Sequence, residues 1–124
     1  MELIGICLIT KDVLALTMFY CDVLNTSYEG DSYHTNIKLE GAGISIFSID
    51  GMEKMAPNSV LGAGSGNVAI EIRVNNVDVE YERLKGLGIE FVKLPETYPW
   101  GSRSFWFKDP DGNIIDFLSI VSSN

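Results

Sequence analysis

The sequence predicts an α+β fold made of two βαβββ modules. A strand-like apolar run followed by one amphipathic helix occurs twice, and short strand-like segments follow each helix. A glycine-rich segment separates the two halves. A unit of about 60 residues with a single helix cannot close a hydrophobic core alone, so the modules are expected to pack into one domain.

The first module is predicted to span residues 1–50. The run "LIGICLIT", Leu3–Thr10, is rich in leucine and β-branched residues and short enough for a strand. Asp12 is a suitable N-cap for a helix that ends near Asn25. Apolar residues at three- and four-residue spacing form one face of this helix: Val13, Leu16, Phe19, Tyr20, Val23 and Leu24. The segments "YHTNIKLE" and "GISIFSI" then predict further strands.

Residues 51–66, "GMEKMAPNSVLGAGSG", are predicted to be a linker or a mobile flap. The segment contains Pro57 and four glycines, and it lacks the periodicity of a helix or strand.

The second module is predicted to span residues 67–124. "NVAIEIRV" alternates as a strand does, Asn76 can cap a helix over "VDVEYERLKGLG", and Gly88 can end it. Three more strands are predicted from "IEFVKL", "RSFWFKD" and "NIIDFLSIV". The whole chain, residues 1–124, is therefore expected to be a single domain.

Composition limits the partners of this protein. With 124 residues and 46% hydrophobic content the chain has enough apolar material for one core. A formal net charge of −8 disfavours nucleic acid; it favours cationic small molecules or serves only solubility. No apolar run has the roughly 18–20 residues of a membrane span, so no membrane contact is expected.

The expected compartment is the cytoplasm. The N-terminus "MELIGICLITKD" lacks the basic region of a signal peptide. Cys7 and Cys21 lie in apolar surroundings without CxxC spacing, and both are predicted to be buried free thiols.

The most patterned stretch is "FKDPDGNIIDF", Phe107–Phe117. Its Asp-Pro-Asp-Gly segment predicts a tight turn between two strands, with Gly112 able to take a positive φ. Asp116 follows as a lone carboxylate in an apolar strand. It is a metal ligand, a ligand anchor or a residue on a solvated face.

Three segments resemble the vicinal-oxygen-chelate superfamily, which contains glyoxalase I, bleomycin-resistance proteins and extradiol dioxygenases. They are "KDVLALTMFYCDVLN", "NNVDVEYERLKGLGIEFV" and "FWFKDPDGNIIDFLS". The resemblance implies a glyoxalase/bleomycin-resistance-like fold, in which the sheets of two βαβββ modules form a cup-shaped cavity. It also implies a homodimer that binds a small molecule.

The resemblance implies metal ligands in the first and last strands of each module, usually histidine and glutamate. By position these fall on Gly5, Ala69, a site near Ile46, and Asp116, of which only Asp116 retains a ligating group. The single histidine, His34, lies away from these strands. We therefore predict no metal and no cofactor.

Strand alternation predicts which side chains line the cup. Ala69, Glu71 and Arg73 share one face of their strand, and Cys7 lies on the corresponding face of the first strand. Glu71 and Arg73 either face the cup or pair with each other or with solvent. The six candidate ligand-binding residues are Glu71, Asp116, Trp100, Trp106, Cys7 and Arg73.

The aromatic stretch "YPWGSRSFWF" is predicted to divide between core and cup. Alternation puts Phe105 and Phe107 on one side of the strand and Trp106 on the other. Trp100 lies in a loop beside Pro99, where it forms either a wall or lid of the cup or ordinary loop packing.

Three functions remain open from the sequence: the two described next, and a stand-alone regulatory or structural dimer, which exposed apolar patches would favour. The first is a metal-independent binding protein that sequesters a cationic or aromatic compound, as bleomycin-resistance proteins do. The second is a metal-dependent glyoxalase-like lyase or isomerase, or a dioxygenase, for which family resemblance is the only support. No catalytic residue is assigned, since the chain has no Gly-x-Ser-x-Gly nucleophile motif and no phosphate-binding glycine loop.

Overall fold

The computed structural model describes residues 1–121, and the chain forms two compact units, Met1–Ala63 and a second that begins at Gly64. The elements are β1 (Gly5–Thr10), α1 (Val13–Leu24), β2 (Tyr28–Gly30), β3 (His34–Ile37), β4 (Gly43–Ser48), α2 (Ile49–Met55), β5 (Ala69–Arg73), α3 (Val77–Lys85), β6 (Glu90–Thr97), β7 (Ser102–Lys108) and β8 (Ile114–Ile120). The predicted α+β fold with two βαβββ modules is confirmed.

The first unit is a four-stranded mixed sheet with α1 packed on it. Its strand order is β1-β4-β3-β2, and β1 runs parallel to β4. Helix α1 begins as predicted, because the Asp12 side chain accepts a hydrogen bond from the Ala15 N–H at 3.1 Å. It ends at Asn25, which adopts the left-handed conformation with φ 51°.

The segment predicted as a linker begins with a helix. The Ser48 side chain accepts a hydrogen bond from the Gly51 N–H at 2.9 Å and so caps α2, which ends before Pro57. Gly51 is buried, and a Cβ at this position would overlap the Phe47 ring. Gly51, one of the four glycines from which a linker was predicted, is therefore needed for the close packing of α2.

The second unit repeats the topology of the first. Its strand order is β5-β8-β7-β6, with β5 parallel to β8. Helix α3 is capped by Asn76, which accepts a hydrogen bond from the Val79 N–H at 3.1 Å, and the helix ends before Gly88. Phe105 and Phe107 are fully buried, as the alternation of β7 predicts.

The predicted turn between β7 and β8 is present. The buried Asp109 carboxylate accepts hydrogen bonds from the backbone N–H groups of Asp111 and Asn113 and from the Asn113 side chain, each at 2.9 Å. Gly112 has φ 90°, a conformation that glycine adopts without strain.

The two cysteines differ in exposure. Cys21 is buried in α1, as predicted, but Cys7 is exposed. The prediction for Cys7 was wrong because alternation along β1 turns Leu8 and Thr10 into the core and leaves Cys7 on the opposite face. Within residues 1–121, no helix is long and apolar enough to cross a membrane.

Candidate functional site

The second sheet carries three charged side chains and one tryptophan in a single row across its four strands. Glu71 on β5 pairs in register with Asp116 on β8, Asp116 pairs with Trp106 on β7, and Trp106 pairs with Lys93 on β6. Residues directly opposite each other on neighbouring strands project to the same face of a sheet. We call these four residues the charged row; it has two carboxylates at one end and an ammonium group at the other.

A cavity of about 320 Å³ lies over three members of this row, Glu71, Asp116 and Trp106, while Lys93 lies behind its aromatic wall, against the Tyr98 and Trp106 rings. Its walls combine aromatic rings with carboxylates and hydroxyls, and are formed by Glu71, Tyr98, Trp100, Ser102, Ser104, Trp106, Asp116 and Leu118. This volume is at the lower end of the range for small-molecule sites, and a few polar groups among apolar walls are typical of such sites.

The pKa of Asp116 is raised above its ordinary value. Burial is the largest cause, and the nearby Glu71 carboxylate adds to it; the indole N–H of Trp106 and the ammonium of Lys93 lower the pKa by less. Asp116 Oδ1 and Trp106 Nε1 are both buried without a well-formed hydrogen bond to any described group. The carboxylate of Asp116 is therefore incompletely stabilised.

Aromatic rings form one side of the cavity. The rings of Tyr98 and Trp100 stack with centroids 4.6 Å apart and planes 3° from parallel. On β6, Lys93 Nζ lies 4.3 Å from the centroid of the Tyr98 ring and 5.6 Å from that of Trp106. Trp100 is 75% exposed and so forms the outer edge of this wall.

Four of the six predicted ligand-binding residues lie together. Glu71, Asp116, Trp100 and Trp106 line the cavity. Arg73, at the end of β5, is exposed and does not line it. No ion pair joins Glu71 to Arg73 in the part of the chain described, so the alternative of a Glu71–Arg73 pair finds no support. Glu71 is itself exposed, and so it contacts solvent, as the other alternative expects, while it also lines the cavity.

Cys7 belongs to the other unit. It lies on the exposed face of β1, paired in register with Ser45 on β4. The same register assigns the position implied near Ile46 to Ser45, the residue before it. Ile46 is fully buried on the core face, and Ser45 occupies the place in β4 that Asp116 occupies in β8.

Lys93 is the member of the row that the sequence did not reveal. It lies in the apolar segment "IEFVKL", and strict alternation would put it on the same face as Phe91. A register shift between Phe91 and Lys93 turns Lys93 to the opposite face, beside Trp106. Sequence patterns give little warning of such a bulge.

The donor set does not fit a bound metal ion. Transition-metal sites in proteins need three or four imidazole, thiolate or carboxylate ligands around one ion. No group of three or more histidine, cysteine, aspartate or glutamate side chains among residues 1–121 meets this requirement. Gly5 and Ala69, at two of the positions implied by the resemblance, have no side-chain donors.

Two βαβββ units, each with a four-stranded mixed sheet, define the class of fold to which this chain belongs. A family model described as Glyoxalase/Bleomycin resistance protein/Dioxygenase superfamily matches residues 3–117, and the chain belongs to this family. No protein of curated function matches the sequence.

Solved structures show the same fold. A glyoxalase/bleomycin resistance protein/dioxygenase from Nocardioides is 22% identical with TM-score 0.84, over 100% of this chain and 86% of the other. A family enzyme from Burkholderia phytofirmans PsJN is 15% identical with TM-score 0.86, over 98% and 100% of the two chains. A protein from the mobile metagenome of V. Pseudocholerae is 21% identical with TM-score 0.76, over 100% and 96%.

Proposed function

We propose that this protein binds a small, planar, positively charged aromatic compound in the cavity over the charged row, without a metal ion. The observation that carries the proposal is the Asp116 carboxylate, which is partly buried beside Glu71 and has one buried oxygen without a well-formed hydrogen bond, since the indole N–H of Trp106 stabilises the carboxylate only in part. A cation that reaches this carboxylate relieves both its incomplete hydration and its repulsion by Glu71.

The walls of the cavity support an aromatic ligand. Trp100 and Trp106 offer indole faces, which attract cations by roughly 0.5–2 kcal/mol when the charge lies over the ring. A neutral ligand of the same shape gains the stacking but leaves the two carboxylates uncompensated. The site is therefore expected to prefer cations over neutral isosteres.

The wider role that we propose is sequestration of such a compound in the cytoplasm, similar to antibiotic resistance by binding. The family to which the chain belongs includes bleomycin-resistance proteins, and the net charge of −8 favours a cationic ligand. We further propose that residues 1–124 act as one domain and that two chains form a homodimer.

Isothermal titration calorimetry with benzamidinium and its neutral isostere benzamide tests the ligand class. We expect saturable binding of benzamidinium and little binding of benzamide. Glu71→Gln and Asp116→Asn should each weaken binding by about 1–3 kcal/mol, or roughly 5- to 140-fold in Kd. Glu90→Gln, which removes an exposed carboxylate outside the cavity, is the matched control and should change Kd little.

Two results would overturn the ligand class. The first is binding of benzamidinium that neither cavity substitution changes. The second is preferential binding of benzoate that Arg73→Ala abolishes, since the site would then be built for anions.

Metal analysis of protein purified without chelators tests metal independence. We expect substoichiometric zinc, nickel and iron, and unchanged benzamidinium affinity after dialysis against EDTA. Stoichiometric metal that is lost on Asp116→Ala would favour the alternative, a metal-dependent lyase, isomerase or dioxygenase.

A further inference from the structure

Lys93 is an ammonium group in an unusual environment. Its Nζ is buried and donates no hydrogen bond to any described group, although an ammonium has three N–H donors. The nearest carboxylate that forms an ion pair with it, Glu96, is 3.8 Å away, beyond hydrogen-bond distance, and is 62% exposed. Two aromatic rings and the surrounding negative charge hold the group instead.

The Tyr98 ring contacts both Trp100 and Lys93. Trp100 lies parallel to this ring at 4.6 Å, and the Lys93 ammonium lies over it at 4.3 Å. Tyr98 therefore joins the exposed Trp100 ring to the buried ammonium group. We call the space bounded by the Tyr98 and Trp106 rings the ammonium slot.

We propose that Lys93 is an internal occupant of the ammonium slot and that a cationic ligand binds by displacing it. This inference rests on the proposed function, since it describes how the same cavity admits its ligand. The structure shows the chemistry of the slot directly, because the group that it holds is an alkylammonium placed over two aromatic rings.

Displacement exchanges one cation for another. The carboxylates nearest the slot, Asp116 beside Trp106 on the row and Glu96 on β6, keep a positive charge nearby throughout. The released ammonium of Lys93 regains hydrogen bonds to water, and its flexible four-carbon chain allows it to move towards the exposed Glu96.

The exchange of the Lys93 ammonium for a ligand cation also explains why the site should reject neutral ligands. A neutral ring that displaced Lys93 would leave the partly buried Asp116 carboxylate without the compensating charge of the ammonium, at a cost that stacking does not offset. Lys93 is therefore a specificity-determining residue. The expected ligand is an aromatic ring that carries an amidinium or ammonium group.

Amine-labelling kinetics test the displacement in the unmodified protein. Acetylation with an N-hydroxysuccinimide ester, followed by peptide mass spectrometry, gives the rate for each lysine. Without ligand, Lys93 should react more slowly than Lys108, which serves as the internal reference. Saturating benzamidinium should raise the rate at Lys93 at least threefold and leave Lys108 unchanged. A rate at Lys93 that stays constant or falls while benzamidinium is bound overturns the displacement.

Affinity measurements on two variants give a second readout. Lys93→Met keeps the volume of the side chain and removes its charge, and should tighten benzamidinium binding about tenfold. Lys108→Met removes a charge at the end of β7, where Lys108 pairs in register with Ile114 on β8, and should tighten it less than twofold. Equal effects of both substitutions, or weaker binding by Lys93→Met, overturn the inference.

The outcomes separate the two proposals. Calorimetric binding of benzamidinium without a change in Lys93 labelling refutes only the displacement. Binding by Lys93→Met but not by the unmodified protein supports Lys93 as the occupant of the slot and refutes the proposed function. Absence of binding by both refutes both.

Discussion

Asp116→Asn is expected to make the protein more stable at neutral pH while it weakens cation binding. The pKa of Asp116 is raised above its ordinary value of 3.8, mainly by burial and then by Glu71. A carboxyl group with a raised folded-state pKa disfavours folding once it is ionised. Its penalty is absent below the unfolded pKa, grows as pH rises from there towards the folded pKa, and is complete above it.

The expected gain in the free energy of unfolding follows from the environment of one carboxylate oxygen of Asp116. Asp116 Oδ1 is buried without a well-formed hydrogen bond, although the Trp106 indole N–H stabilises the carboxylate in part; a buried polar group left fully unsatisfied costs about 1–3 kcal/mol. The side chain is only partly buried, so we take the lower limit. Asparagine removes the charge and can donate to Glu71. We therefore expect a gain of about 1 kcal/mol in the free energy of unfolding at pH 7.

Urea unfolding at pH 7 and at pH 4 measures this effect. The gain from Asp116→Asn should be largest at pH 7 and should shrink towards pH 4, because the raised pKa of Asp116 makes the folded protein take up its proton before the unfolded chain does as the pH falls. Glu90→Gln is the control; as an exposed substitution it should change stability by less than about 0.5 kcal/mol at either pH. A destabilised variant, or a gain that is the same at both pH values, would refute the electrostatic reasoning.

Three further predictions concern the fold and assembly. Asp109→Ala should lower the free energy of unfolding by about 2–4 kcal/mol, because it removes the acceptor for Asp111 and Asn113 in the turn; a loss below 1 kcal/mol in urea unfolding would contradict this. Thr17→Val should cost about 1–3 kcal/mol, because the Thr35 hydroxyl, 2.7 Å away, loses its buried partner, and the double variant with Thr35→Val should recover most of that loss. Multi-angle light scattering at micromolar concentration should give about twice the chain mass of 13.7 kDa; a species at 13.7 kDa alone would exclude the homodimer.

The element order could be predicted from the sequence because its signals are local. Asp12 and Asn76 cap the two main helices as expected, since an N-cap depends only on a side chain and the backbone three residues on. The turn at Asp109 was predicted for the same reason. Helix α2 was missed because its glycine, Gly51, has low helix propensity, and only packing against Phe47 reveals its use.

The candidate site shows the limit of local reasoning. Alternation places Glu71 and Asp116 on one face of their own strands, but only the parallel register of β5 and β8 sets them side by side. Trp106 was assigned to the correct face of β7 by the same period-two rule.

The sequence by itself determined the two βαβββ modules, the caps and turn that bound them, and the carboxylate and aromatic content of one sheet face. Tertiary structure alone decided that Lys93 joins this face, because a register shift in β6 depends on pairing with β7 and leaves no periodic trace in the chain. It also decided the burial that raises the pKa of Asp116, because burial depends on the neighbours of Asp116 across the sheet. These two features give the cavity its charge balance.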